Sequence, residues 1–274
     1  MSIDNVLKLY SETIRSSFLH YGFWDDPTSI EVESITLQKI KDAQTRYIEH
    51  LESYIPASVN SILDVGCGIG GNTDFLIKKG YNVETLSPDD FQKSVILKKF
   101  HGKVPFYHCK FEKFEPQKKY DFILESESAC YINIEEGFKK AREALCDGGY
   151  LLASDYFIHY NDSSKSPHLK SSHDLNKYLS CAKVSGFQIV KEYDQTENTM
   201  LTLDYAKYLI DRFIYPTLDY GIFSTKKSYP KITGLIGKIM KTQWTEKKKQ
   251  LDLIDSSLFR KYRKYMIYLF KKIK

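Results

Sequence analysis

The sequence predicts an α/β fold: a doubly wound parallel sheet with a helical cap before it and a helical lid late in the chain. Three observations predict it. Short apolar runs alternate with helical stretches from Ser61 to Tyr193, a glycine-rich turn follows the first apolar run, and the rhythm stops after Tyr193 and returns only at 265–270. Strands alternating with helices of this length imply parallel βαβ units with right-handed crossovers.

The elements follow in order. Residues 3–19 are expected to form an amphipathic helix, since Val6, Leu9, Tyr10 and Ile14 recur at helical spacing. An aromatic loop, His20-Tyr21-Gly22-Phe23-Trp24, comes next, then a long helix over 31–54 ending near Pro56. Strands are expected at 62–65, 83–86, 104–107, 122–124, 150–153 and 187–190. Helices are expected at 71–79, 89–100, 133–146 and 171–185. Beyond Tyr193, residues 197–218 and 230–262 read as helical, with turn signals at Tyr215-Pro216 and Tyr229-Pro230. The resulting division is a cap over 1–56, a core over 57–196, a lid over 197–262 and a final core strand over 263–274. An excursion of that length before the last strand is expected to be functional.

Composition narrows the function classes. The 274 residues, 42% hydrophobic, suffice for one large domain with a buried core. No segment approaches the roughly 20 apolar residues of a membrane span, and the N-terminus has no apolar run of a signal peptide. Five scattered cysteines without a CxxC pair fit a reducing, cytoplasmic setting and point to neither a metal site nor a disulfide framework. The net charge of +5 gathers late, at Lys226-Lys227, 247–249, 260–264 and 271–274. We read these runs as solvated helix faces rather than a surface for nucleic acid or an anionic membrane, although peripheral membrane contact stays open.

The chemistry is carried by Asp64-Val65-Gly66-Cys67-Gly68-Ile69-Gly70-Gly71. Glycines let the backbone turn tightly and approach a ligand closely, at the strand end where open α/β sheets bind cofactors. A dinucleotide fingerprint is GxGxxG with a pyrophosphate at the helix N-terminus. Here the spacing is GxGxG, and Asp64 precedes the first glycine by two positions. A carboxylate there opposes a pyrophosphate and suits a cofactor bearing cationic groups.

This motif resembles that of the class I S-adenosylmethionine (SAM)-dependent methyltransferases. The resemblance implies a Rossmann-like sheet of seven strands with the last antiparallel, SAM as methyl donor, and Asp64, Gly66, Cys67, Gly68, Gly70 and Asn72 around its methionine part. Thr85-Leu86-Ser87-Pro88 departs from the usual acidic residue after the second strand. It is similar to the tocopherol and cyclopropane-fatty-acid branch, which makes Thr85, Leu86, Ser87 and Gln92 ribose-side candidates. Lys110, Phe111 and Glu112 occupy the adenine position, with Lys110 where the family often has Asp. Tyr120–Tyr131 resembles the family's fourth strand and following loop, so Glu125 and Ser126 are expected at the methionine part and Glu127 toward the substrate. Tyr10, Tyr21 and Trp24 resemble an aromatic cap over SAM, whose rings attract a sulfonium.

Candidate general bases are Glu127, His20, Asp155 and Tyr131, with His159 behind them. The expected acceptor is a small molecule: lipid, quinone-like, sugar or polyketide-type. Alternatives are a non-methylating protein on the same fold, such as a cyclase, and an NAD(P)-dependent oxidoreductase, which the glycine spacing and Asp64 oppose. An RNA methyltransferase is disfavoured, because no RNA-binding module or NPPY tetrad is present.

Overall fold

A computed structural model describes residues 15–159, 172–228 and 254–273. Its centre is a sheet in the order β3-β2-β1-β4-β5-β8-β7, with a short β6 paired to the far end of β5. The strands are β1 (Ser61–Val65), β2 (Asn82–Leu86), β3 (Phe106–Tyr107), β4 (Tyr120–Ser126), β5 (Leu145–Ile158), β6 (His173–Asp174), β7 (Phe187–Asp194) and β8 (Arg263–Lys272). β1 through β5 run parallel, whereas β8 is antiparallel to both neighbours. The expected seven strands are all present, and β6 is an eighth.

Both faces of the sheet are covered, so its central strands are apolar on each side. On one face Leu63, Val65, Ile123 and Phe270 pack against α4 (Ile134–Ala144) and α5 (Leu175–Val184). On the other, Ile62, Phe122 and Leu124 meet Tyr47, Ile48 and Leu51 of α1 (Leu37–Glu52) and Leu76 of α2 (Gly71–Lys78). Helix starts follow local chemistry. Thr36 caps α1 by accepting from the Lys39 N–H, and Asp89 caps α3 (Asp90–Lys99) by accepting from the Gln92 N–H.

Several boundaries differ from expectation. Residues 15–19 are not helical, and residues 1–14, including Tyr10, lie outside the described residues. β3 shrinks to two residues, while β5 starts at Leu145, directly at the end of α4, and runs to Ile158. The turn expected at Tyr215-Pro216 is helical instead. α6 (Thr196–Leu209) continues through a π turn at Ile210–Ile214 into α7 (Tyr215–Ser228). A proline within a helix removes one backbone bond and crowds the preceding turn, and a π turn widens the ladder at that place. Of the helix expected at 230–262, the described residues contain α8 (Ser256–Tyr262); the Tyr229-Pro230 signal lies outside them. Among the described residues no helix is long and apolar enough to cross a membrane.

Candidate active site

A cleft of about 510 Å³ opens over the carboxyl ends of β1, β2 and β4. There β2 and β4 flank β1 on opposite sides and the direction of winding reverses, the usual ligand position of such sheets. Gly66, Gly68 and Gly70 all adopt positive φ (74°, 55° and 76°), which glycine tolerates without strain. Their surroundings differ. A Cβ on Gly66 would lie 2.4 Å from the Ser128 Cβ, and one on Gly70 2.6 Å from Ile96, so these two positions serve close packing. Gly68 has only the Leu19 side chain nearby, at 3.2 Å, and lines the cleft. At Gly71 a Cβ would meet the Ser17 carbonyl at 2.3 Å. The chain at Ser17, Phe18 and Leu19 therefore lies directly over the turn and forms one cleft wall.

Most of the expected site residues converge on this cleft: His20, Gly66, Cys67, Gly68, Asn72, Leu86, Ser87, Gln92, Lys110, Phe111, Glu112, Ser126, Glu127 and Tyr131. The donor set fits a nucleoside with a polar amino-acid tail. Gln92 Oε1 is buried without a partner among the described residues, beside Ser87, whose Oγ accepts from the Asp89 N–H at 3.2 Å. The volume is in the range of pre-formed small-molecule pockets.

Other expected residues sit elsewhere. Trp24 is buried against Ile40, Leu201 and Tyr205, and its indole N–H donates to Thr202 Oγ1 at 3.0 Å. It ties the aromatic loop to α6 and stands away from the cleft. Tyr21 lines no part of it either; its ring meets Tyr265 edge-on. Thr85 turns its hydroxyl to the Pro105 carbonyl at 2.8 Å. Asp64 is 1% exposed and accepts from Thr73 Oγ1 at 2.6 Å, so it braces the first turn of α2 from below the glycine turn. Burial raises its pKa to about 6.

Residues two apart share a face of a strand, but β4 ends at Ser126 and the positive φ of Glu127 turns it away, separating two carboxyls that the sequence places together. Glu125 faces the α4–α5 side, against Ala129, Phe138 and Tyr178. Burial, then the nearby Asp155 and Glu112 carboxyls, raise its pKa to about 8. Asp155 is fully buried off the cleft and accepts from the Cys130 and Tyr156 N–H groups at 2.9 and 2.8 Å. Each of its oxygens accepts a backbone N–H, which ties it to the turn Ala129–Tyr131.

Glu127 is half-buried and lines the cleft, as do the half-buried Asp89 and Glu112, whereas the buried Asp64, Glu125 and Asp155 do not. Its φ is +51°, a left-handed value rare outside glycine. Its N–H donates to the Ser154 carbonyl at 2.8 Å, and Oε1 accepts from the Tyr21 N–H at 2.9 Å and the Tyr265 hydroxyl at 2.5 Å. Burial raises its pKa to about 7 against these two donors. His20 is held on both ring nitrogens, Nδ1 at 2.8 Å from the Tyr21 carbonyl and Nε2 at 3.0 Å from the Asn72 side-chain amide, with its ring stacked on Tyr47. Burial lowers its pKa to about 4, so it is neutral at pH 7. Tyr131 is 74% exposed at the mouth, and burial of its hydroxyl beside Cys130 and Asp155 raises its pKa to about 12. His159 is exposed and near Arg260, remote from the cleft.

Tyr47, Ser154, Gln195 and Tyr265, which the sequence did not single out, form a buried polar cluster behind Glu127. Their signal was faint: polar residues at positions whose periodicity marks them as core.

Comparison with known proteins agrees with this geometry. Residues 40–195 match the model of a family described as methyltransferase domain. The methyltransferase GfsG of Streptomyces halstedii is 34% identical over 73 residues, 25% of this chain and 24% of that protein, so the match spans about a quarter of its length. A structure from Galdieria sulphuraria, proposed to be a sarcosine dimethylglycine methyltransferase, superposes with a TM-score of 0.75 at 17% identity, over 98% of this chain and 99% of that one. Geranyl diphosphate C-methyltransferase from Streptomyces coelicolor A3(2), solved with Mg2+, geranyl diphosphate and S-adenosyl-L-homocysteine, gives 0.68 at 14%, over 93% and 92%. With the family model covering more than half of its residues, and with the fold and glycine turn described above, the chain belongs to the methyltransferase-domain family, the SAM-dependent class that its sequence resembles.

Proposed function

We propose that this protein transfers a methyl group from SAM to a small-molecule acceptor, with Glu127 as general base. The observation that carries the reading is Glu127 itself: a half-buried carboxyl on the cleft wall, in a strained backbone conformation, held by the Tyr21 N–H and the Tyr265 hydroxyl, with a pKa near 7. A base is most effective when its pKa lies near the working pH, and strain of this kind gathers at functional sites.

Gly66, Cys67, Gly68 and Asn72 would hold the methionine part, Leu86, Ser87 and Gln92 the ribose, and Lys110, Phe111 and Glu112 the adenine. Bound there, SAM would supply an activated methyl group on a sulfonium. The protein's own task is then to align the acceptor and exclude water, which can be worth up to roughly 7–11 kcal/mol. Neutral His20 adds no positive charge to the wall where a sulfonium would lie. Glu127 takes the proton that the acceptor gives up. Asp64, Trp24, Glu125 and Asp155 act by holding the turn, the loop and the sheet edge in place. The helices α6, α7 and α8 would close over the acceptor, and the 21 tyrosines and 16 phenylalanines of the chain suit an apolar or aromatic substrate.

Incubating the purified protein with labelled SAM and cell extract should transfer label to a small metabolite. Glu127→Gln should lower kcat by about 10²–10⁴-fold while leaving S-adenosylhomocysteine affinity within a few fold. Wild-type protein that binds SAM but consumes none with any extract would instead support the cyclase-like alternative.

A further inference from the structure

Glu127 is supported from behind by hydroxyls on three separate elements. Gln195 Nε2 donates to Ser154 Oγ at 2.8 Å. Ser154 Oγ lies 2.7 Å from the Tyr47 hydroxyl, which lies 3.0 Å from the Tyr265 hydroxyl. Tyr265 in turn donates to Glu127 Oε1 at 2.5 Å. All four supporting residues are 0% exposed.

The proton inventory gives this chain a direction. Each hydroxyl has one proton to donate. Tyr265 gives its proton to the carboxylate, so it accepts from Tyr47. Tyr47 then accepts from Ser154, and Ser154 from the Gln195 amide. Every bond points toward Glu127, and bonds aligned in one sense strengthen one another. Oε1 also accepts from the Tyr21 N–H, so both of its acceptor positions are occupied. Oε2 takes no protein donor among the described residues.

We propose that Tyr265 is a positioning residue for proton transfer at Glu127, holding Oε1 as a fixed acceptor so that Oε2 alone exchanges the proton. The inference rests on reading Glu127 as the general base. In the step it serves, the acceptor's bond to hydrogen breaks, its electron pair stays on the acceptor atom, and the proton passes to Oε2. The carboxyl becomes neutral and later returns the proton to water.

The other groups around Glu127 are Asp155 and Tyr156 of β5, Cys130 and Tyr131 of the turn after β4, Tyr47 of α1, and neutral His20. Asp155 pushes the Glu127 proton affinity up, whereas the Tyr265 bond is the strongest influence pulling it down.

The test is a carbon NMR titration of the side-chain carboxyl of Glu127 in the full chain, assigned by its disappearance in Glu127→Gln. A hydrogen bond to a charged group is worth enough that losing it should raise the midpoint by about one pH unit or more in Tyr265→Phe. Tyr47→Phe, which weakens the same donor one link back, should raise it by less, and it carries the test alone if Tyr265→Phe does not fold. A midpoint unmoved in the folded variant overturns the proposal and leaves the base reading intact. Methyl transfer that survives Glu127→Gln with an unchanged pH profile overturns the base reading, whatever the midpoint does.

Discussion

At the scale of single residues, the cleft separates glycines by what surrounds them. Gly66 and Gly70 are needed because Ser128, Ile96 and Phe100 stand where a side chain would go, whereas Gly68 faces the cleft. Gly68→Asp should therefore leave the fold largely intact, apart from strain at its φ of +55°, and fill the ligand's place. Calorimetry should show S-adenosylhomocysteine affinity falling at least 100-fold, about 2.7 kcal/mol. Full affinity in that variant would put the cofactor elsewhere. The motif containing these glycines was legible in the sequence, since the spacing and Asp64 needed no tertiary information. The role of Asp64 was not legible. A carboxylate two residues before the first glycine reads as a ligand contact, but β1 turns it inward to Thr73.

Between elements, the aromatic loop meets the cleft at one residue and is anchored elsewhere by the others. The run 20–24 does approach the cleft, but only through His20. Its neighbours instead tie the loop to α6: Thr202 Oγ1 accepts from both the Gly22 N–H and the Trp24 indole, each at 3.0 Å, and the Trp24 N–H donates to the Asn198 carbonyl. Thr202→Val keeps the shape and strands two buried donors. It should cost about 2–4 kcal/mol in urea unfolding, with Thr202→Ser restoring most of the loss. A loss below roughly 0.5 kcal/mol would show that the loop does not depend on this anchor. Sequence periodicity could not reveal the contact, because Trp24 and Thr202 are far apart in the chain. The same applies to β4: alternation alone would keep Glu125 and Glu127 on one face, but the chain leaves the strand at Ser126 and the positive φ of Glu127 sends the two to different surroundings.

For the molecule as a whole, three buried carboxyls and the half-buried Glu127 set the response to pH. Asp64, Asp155, Glu127 and Glu125 have folded pKa values raised to about 6, 6, 7 and 8. Each binds its proton more tightly folded than unfolded, so its contribution is present at low pH and is lost as pH rises through the folded value. His20, lowered to about 4, acts the other way, but only below its unfolded pKa of about 6.5. Above that, the carboxyls act unopposed. The protein should lose on the order of 2 kcal/mol between pH 6.5 and 8.5, seen as a melting temperature lower by several degrees. A flat or rising melting temperature over that window would mean these groups are better solvated than the fold implies. The sequence by itself determined the order of strands and helices, the glycine turn and the class of enzyme, because periodicity and turn chemistry are local properties of the chain. Only the tertiary structure decided which carboxyl faces the cleft and what stands behind it. Glu127 owes its surroundings to Tyr21, Tyr47, Ser154, Gln195 and Tyr265, residues brought together by the return of β8 between β5 and β7. Their effect comes from burial and mutual hydrogen bonding, which no stretch of sequence carries alone.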